Sequence, residues 1–363
     1  MESQPLKITR KHSLPHWIRQ HQKLSYIIAG ALLVTAAGSI TFFILSKQSS
    51  PTKPAPSIVV KEPMPAPKYY SELTGALVKN ETDITRPVTA IMIENSPDAR
   101  PQSGLKQAEV VYEAIAEGGI TRFMALYQQE KPNLIGPVRS LRTAFVDWLA
   151  PYQASVAHVG GNIVALNEIR NGSYRDIDQF FNAGTYWRSS DRFAPHNVYT
   201  SFDNLDALNK AKGYERSAFS GFIRTDPKPA LTPTAAQINV NISSPTYNSS
   251  YIYDKKNNSY ARSQGGAPHL DREKGQITAT VVIALSVDMR VVEEDGYREQ
   301  ITTIGSGKAT IFQNGTALEA TWTKKDRASQ LTFEDENGEV IPLVRGTTWI
   351  TAIPNNGGSV SWK

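Results

Sequence analysis

Apolar and polar positions fall into three successive textures along the 363-residue chain. The first is a continuous apolar run, "LSYIIAGALLVTAAGSITFFILS", Leu24 to Ser46, without a single charge. At ~1.5 Å per helical residue these 23 residues match a ~30 Å hydrocarbon layer, which predicts one transmembrane helix. A cleaved signal peptide would have only ~7–15 apolar residues and a small-residue cleavage site, which "FFILSKQ" lacks, so an uncleaved anchor is expected. The second texture, residues 47–70, holds six prolines among small polar residues. That composition cannot bury a core and predicts an extended stalk.

The third texture begins near Thr85, where short apolar runs are broken by turn residues. "PVTAIMIE", "AEVVYEAIA", "TRFMALY" and "ASVAHV" have strand length and are partly β-branched or aromatic. "NIVALNEIRNG" spaces Ile163, Leu166 and Ile169 at three, and "SFDNLDALNKAKG" begins at a serine cap and stops at Gly213, so both predict helices. Strands alternating with helices predict an α/β domain over 71–225. Proline-rich residues 226–234 read as a linker. Residues 235–363 form a run of strand-like pieces with hairpin signals at Asn314-Gly315 and Asn337-Gly338, which predicts a mainly antiparallel β domain.

Charge places these pieces in a cell. Residues 1–23 carry five Lys and Arg against one Glu, so the positive-inside rule keeps this tail in the cytoplasm and sends the body outward. The body from residue 71 has 30 basic and 32 acidic residues, which argues against a nucleic-acid-binding surface. With no cysteine there is neither a disulfide framework nor a residue to carry a lipid anchor.

Within the near-neutral body the basic residues are unevenly chosen. Residues 86–192 hold nine Arg and two Lys, whereas the rest of the chain holds ten Arg and 18 Lys. Arginine presents a planar fork suited to carboxylate or phosphate, so either internal carboxylates or an anionic ligand is implied. "EGGITR" and "HVGGN" set paired glycines beside strand ends, where backbone N–H groups can approach an anion. In "IGPVRSLR", Arg139 and Arg142 stand three apart and would share a face near the positive end of a helix opening toward Trp148.

"RPVTAIMIENSPDARPQSGLKQAEVVYEAIAEGGITRF", "IGPVRSLR", "HVGGN" and "RSSDRFAPHNVY" resemble the YerB-like lipoproteins of bacteria, an envelope family built around a domain of unknown function. The resemblance continues through "YDKKNNSYARS" and "GKATIFQNGTALEATW", so it covers about 75–354. It implies an extracytoplasmic, membrane-tethered protein and little about activity. The chain departs from the lipoproteins in lacking the lipid-bearing cysteine, which the predicted span replaces.

The polar residues inside these motifs nominate a ligand site: Arg100, Arg122, Arg139, Arg142, His158, Arg188, Arg192, His196 and Asn197. No HExxH or Cys pair supports a metal, no G-x-S-x-G supports a serine hydrolase, and "GSGKA" departs from a phosphate loop at two positions, so no metal or cofactor is assigned. Three readings follow. One is a module binding an anionic glycopolymer or lipid-linked pyrophosphate, with a protein partner available to the β domain. Another is a phosphotransferase or hydrolase acting on lipid-linked substrate, loosely similar in element order to the LytR-CpsA-Psr envelope enzymes. The third is a scaffold of an envelope complex whose arginines are paired internally.

Overall fold

The computed structural model describes residues 68–292 and 299–363, together with Lys23, Tyr26, Ile27, 29–32, Val34 and Thr35. Residues 1–22 of the tail expected in the cytoplasm, nearly all of the expected stalk and most of the expected span Leu24–Ser46 lie outside the described residues. Those of the span that are described are helical and exposed. Among the described residues no helix is long and apolar enough to cross a membrane. The chain divides into two units, Met1–Ala66 and Pro67–Lys363, and the second carries the folded body.

The N-terminal half of the body mixes strands and helices as the alternation predicts. Its strands are β1 (Thr89–Glu94), β2 (Val110–Glu117), β3 (Ile120–Tyr127), β4 (Ser155–His158) and β5 (Arg175–Asp178). Its main helices are α1 (Thr143–Leu149), α2 (Ile163–Asn171) and α3 (Phe202–Ala211). The side chain of Ser201 caps α3 by accepting from the Asn204 N–H. Among the described residues the C-terminal half is strands without a helix: β6 (Gln237–Asn241), β7 (Ser249–Asp254), β8 (Ser259–Gln264), β9 (Val281–Val287), β10 (Gly305–Gln313), β11 (Thr316–Lys324), β12 (Thr332–Glu334), β13 (Thr348–Pro354) and β14 (Ser359–Trp362). Asn314 and Gly315, both at positive φ, make the β10–β11 turn.

The two halves do not build separate sheets. One ten-stranded sheet runs β12-β11-β10-β9-β13-β2-β3-β1-β4-β5, so strands of the C-terminal half extend the N-terminal sheet. The junction is β13, parallel to β9 on one side and to β2 on the other, with Ile350 opposite Tyr112. The C-terminal half is therefore antiparallel at its hairpins and parallel at its centre. A second sheet, β8-β7-β6-β14, is antiparallel throughout.

Central strands β1, β2, β3, β9 and β13 are buried almost end to end, because both faces of the large sheet are covered. On one face Met92, Tyr112, Met124, Ile283 and Ile350 pack against Phe145 and Trp148 of α1 and Ala165 and Ile169 of α2. On the other, Ile91, Val111, Phe123, Ala284 and Trp349 meet Ile238, Tyr251 and Tyr260 of the second sheet and Phe202 of α3. Parallel strands β1, β2, β4 and β5 all end at one edge of the sheet, and Glu94, Glu117, His158 and Asp178 are their last residues.

Candidate functional site

At this carboxyl edge the nominated residues gather around two glutamates. Strand alternation gives Arg122 the same face as Met124, under α1, and its cross-strand partner Glu94 follows Met92 onto that face. A register shift between Ile115 and Glu117 adds one residue to β2 and turns Glu117 toward the same face. The Gly118-Gly119 pair then closes β2 onto β3 as a two-residue turn with both φ positive, 54° and 76°. These glycines serve the hairpin, so an anion cradle at "EGG" is not needed to account for them.

Glu117 takes two arginines, Arg122 through Oε1 at 3.3 Å and Arg142 through Oε2. Burial pushes its carboxyl up, but Arg142 and Arg122 outweigh that and hold it below its ordinary value. Glu94 Oε1 receives Arg139 Nε at 3.2 Å, Ser96 Oγ at 3.1 Å and His196 Nδ1 at 3.0 Å. Glu94 Oε2 is buried and has no hydrogen-bond partner among the described residues, and the same holds for the donors Arg122 Nε and Arg142 Nε.

Arg122, expected to bind ligand, is instead 1% exposed. Burial draws its guanidinium down to about 10, and it also donates to the Ser140 carbonyl at 2.9 Å. It thus links Glu117 at the end of β2 to the backbone before α1. Of the three arginines on these glutamates, Arg139 and Arg142 keep 26% and 15% of their side chains exposed and are the two that reach the surface. They do not share a helix face as expected. Arg142 is extended (φ −128°, ψ 153°) and α1 begins only at Thr143, because the preceding backbone is committed elsewhere. Arg139 N–H donates to Met92 O at 2.8 Å, Val159 N–H to Arg139 O at 3.0 Å and Leu141 N–H to Gly160 O at 2.9 Å.

His196, Arg192 and Asn197 lie on the loop of a short hairpin, Trp187–Arg188 against Val198–Tyr199. Asn197 holds that loop by donating to Ser189 O and Arg192 O, and it accepts from Arg188 at 2.7 Å. Arg192 donates to the carbonyls of Asp98 and Pro101, and Arg100 to Asn95 Oδ1, Asn95 O and Thr246 O. These three arginines are hydrogen-bonded to neutral oxygens and make no ion pair among the described residues. His158 stands apart as a fully buried structural residue, its Nδ1 donating to Gly160 O at 2.8 Å and its Nε2 3.0 Å from Asp176.

Sequence reading missed what lies behind Glu94, on the face of the second sheet. Glu113 and Arg262, both fully buried, meet with Arg262 Nη2 3.0 Å from each carboxylate oxygen. Arg262 Nε donates to His269 Nδ1, His269 Nε2 to Gln102 Oε1, Gln102 Nε2 to Asn95 Oδ1, Asn95 Nδ2 to Thr121 Oγ1, and Thr121 Oγ1 to Glu113. This is a closed circuit of hydrogen bonds joining the two sheets. Burial, with the charges of Arg262 and Arg100, holds the His269 imidazole well below its ordinary value and keeps it neutral. Gln102 also donates to Glu94 O at 3.0 Å, so the circuit fixes the backbone from which the edge cluster hangs. Its only signal in the sequence was a polar residue inside each of several separate motifs. Among the described residues no three His, Asp or Glu are grouped to hold a metal ion.

Comparison with known proteins places this architecture. Residues 73–215 match the family model "Protein of unknown function (DUF3048) N-terminal domain", and residues 238–350 match the C-terminal domain of the same name. The chain belongs to the YerB-like DUF3048 family. It is 33% identical over 298 residues to "Putative lipoprotein YerB" of Bacillus subtilis (strain 168), covering 81% of this chain and 88% of that protein. The crystal structure of YerB from Bacillus subtilis superposes with a TM-score of 0.72 at 30% identity, covering 81% of this chain and all of that one. The family's two matched segments meet along β2 and β13 of the shared sheet.

Proposed function

We propose that the protein is an extracytoplasmic envelope protein, tethered to the cell membrane by the Leu24–Ser46 span, which binds an anionic envelope ligand at the carboxyl edge of its large sheet. Membrane association is supported by the relative described as a lipoprotein and by the uncharged run that stands where that anchor would be. The observation that carries ligand binding is the local charge imbalance. Arg100, Arg122, Arg139, Arg142, Arg188 and Arg192 converge on this edge, against Glu94, Glu117 and Asp98. Asp191 is taken by Arg272, and Asp176 and Asp178 by His158 and Arg170. Open α/β sheets place ligands at such a carboxyl edge. A phosphate- or pyrophosphate-bearing glycopolymer, or a lipid-linked pyrophosphate, has the matching charge.

A scaffold is the second reading, favoured by the internal partner that each nominated arginine has. Calorimetric titration of pyrophosphate into the full chain, held in phosphatidylcholine nanodiscs, separates the two. Arg139→Lys and Arg142→Lys keep the charge and remove a fork, so each weakens binding by about tenfold while leaving the melting temperature nearly unchanged. A folded chain that takes up no pyrophosphate lacks the proposed anion site, as the scaffold reading expects.

A further inference from the structure

The segments that carry the edge cluster also carry bare apolar side chains. Phe180, Phe181 and Phe193 are 68, 71 and 92% exposed and are the exposed phenylalanines of the described residues; Ile163 and Val164 are 63 and 50% exposed. Their positions bracket the arginines. The Phe180 ring lies 3.1 Å from where a Cβ on Gly160 would stand, and the Gly160 carbonyl accepts from the Leu141 N–H between Arg139 and Arg142. Ile163 and Val164 open α2 directly after Asn162, whose Nδ2 donates to Thr143 Oγ1 beside Arg142 at 3.2 Å. The Phe193 carbonyl accepts from the N–H of His196, which holds Glu94. Phe181 is partly used, since the Arg170 guanidinium sits 4.9 Å over its ring. Phe180, Phe193, Ile163 and Val164 have no such cover.

Large exposed apolar side chains on the segments that flank one charged site mark something that binds there. Phenylalanine, isoleucine and valine have no hydrogen-bonding atom, so they offer a sugar hydroxyl nothing, and they suit a hydrocarbon chain. The arginines between them suit phosphate. We propose that the ligand of this face is a phosphorylated lipid, its phosphate or diphosphate head held by Arg139 and Arg142 and the first stretch of its chain laid against Phe180, Phe193, Ile163 and Val164. The proposal rests on the anion-binding reading above and chooses the lipid-linked class over the glycopolymer. Two independent observations support it beyond the rim itself. Arg100, Arg188 and Arg192, hydrogen-bonded to neutral oxygens, add positive charge for an anionic head beyond what Glu94 and Glu117 offset, and the buried donors Arg122 Nε and Arg142 Nε are without an acceptor among the described residues. The tether predicted from the sequence confines the body to the surface where such lipids are displayed.

Geranyl diphosphate is a soluble probe with both parts, and pyrophosphate and geraniol are its halves. Titrated into the full chain in phosphatidylcholine nanodiscs, with empty nanodiscs as the blank, geranyl diphosphate binds at least tenfold more tightly than pyrophosphate, and geraniol alone binds weakly. Phe180→Ser and Phe193→Ser together remove that advantage and leave pyrophosphate binding where it was. If pyrophosphate binds and the geranyl group adds nothing, or if the serine variants keep the advantage, the lipid assignment falls and the anion site stands. If neither diphosphate binds to the folded chain, the anion site falls with it.

Discussion

Glu109 immediately precedes β2 and is 3% exposed, its Oε2 accepting from the backbone N–H groups of Gln128 and of Gln129, the latter at 2.8 Å. Burial pushes its carboxyl up from 4.5 to about 7 despite those donors. The folded protein thus holds this proton more tightly than the unfolded chain, and stability tied to Glu109 is lost as pH rises through about 7. His269 acts in the opposite sense, because its folded imidazole is kept neutral and stability tied to it is lost as pH falls. The two partly cancel in the wild type, so the informative quantity is a difference. The melting temperature of Glu109→Gln minus that of the wild type should grow between about pH 5 and 8, with a free-energy equivalent on the order of 3 kcal/mol. A pH-independent difference would show that Glu109 ionises normally. The Arg262–Glu113 pair allows a second test at this scale. Arg262→Met strands a buried carboxylate and should cost about 3–5 kcal/mol in urea unfolding, and adding Glu113→Gln should recover part of it.

Elements with a local cause were legible. α2 and α3 follow from apolar spacing and from Ser201 and Gly213, and β1 to β4 from β-branched and aromatic runs. β5, "RDID", carries no apolar alternation and was invisible, being a strand because it pairs with β4 and because Ile177 packs with Tyr186, whose hydroxyl donates to the Ile177 carbonyl. The stretch before α1 misled for a related reason. "PVRSLR" has nothing in its own composition to forbid a helix, yet its backbone groups are spent on β1 and on the 159–160 loop. The candidate site was legible in kind and not in exposure. The run of arginines announced a charged edge, but which of them face out depends on strand parity and on the β2 bulge. Arg122 is buried by that parity, and Glu117 reaches it through the bulge.

Over the whole molecule, the Pro-rich stretch at 226–234 separates the two domains that the family models match, yet one sheet runs through both. No local pattern announces that β13 pairs with β2 across more than two hundred residues, because parallel pairing is written in shape complementarity and not in nearby residues. Buried Trp349 records the outcome, donating to Glu113 Oε2 at 2.9 Å. A chain ending at Arg345 loses β13 and β14, exposing the edges of β2, β9 and β6 at once. It should therefore fail to give a cooperative melt or dispersed amide resonances. A folded N-terminal half in that truncation would show that the halves are separable.

The place of β13 also bears on how the protein is made. Synthesis delivers a chain from its beginning to its end, so the strand that joins the halves arrives after both of the strands it joins. Until Thr348 and the residues after it have been made, β2 and β9 present unpaired backbone edges to one another and to any neighbour. Completion of the sheet is thus a late event of synthesis, and the interval before β13 arrives is when the nascent chain is most open to proteolysis and to pairing with other chains.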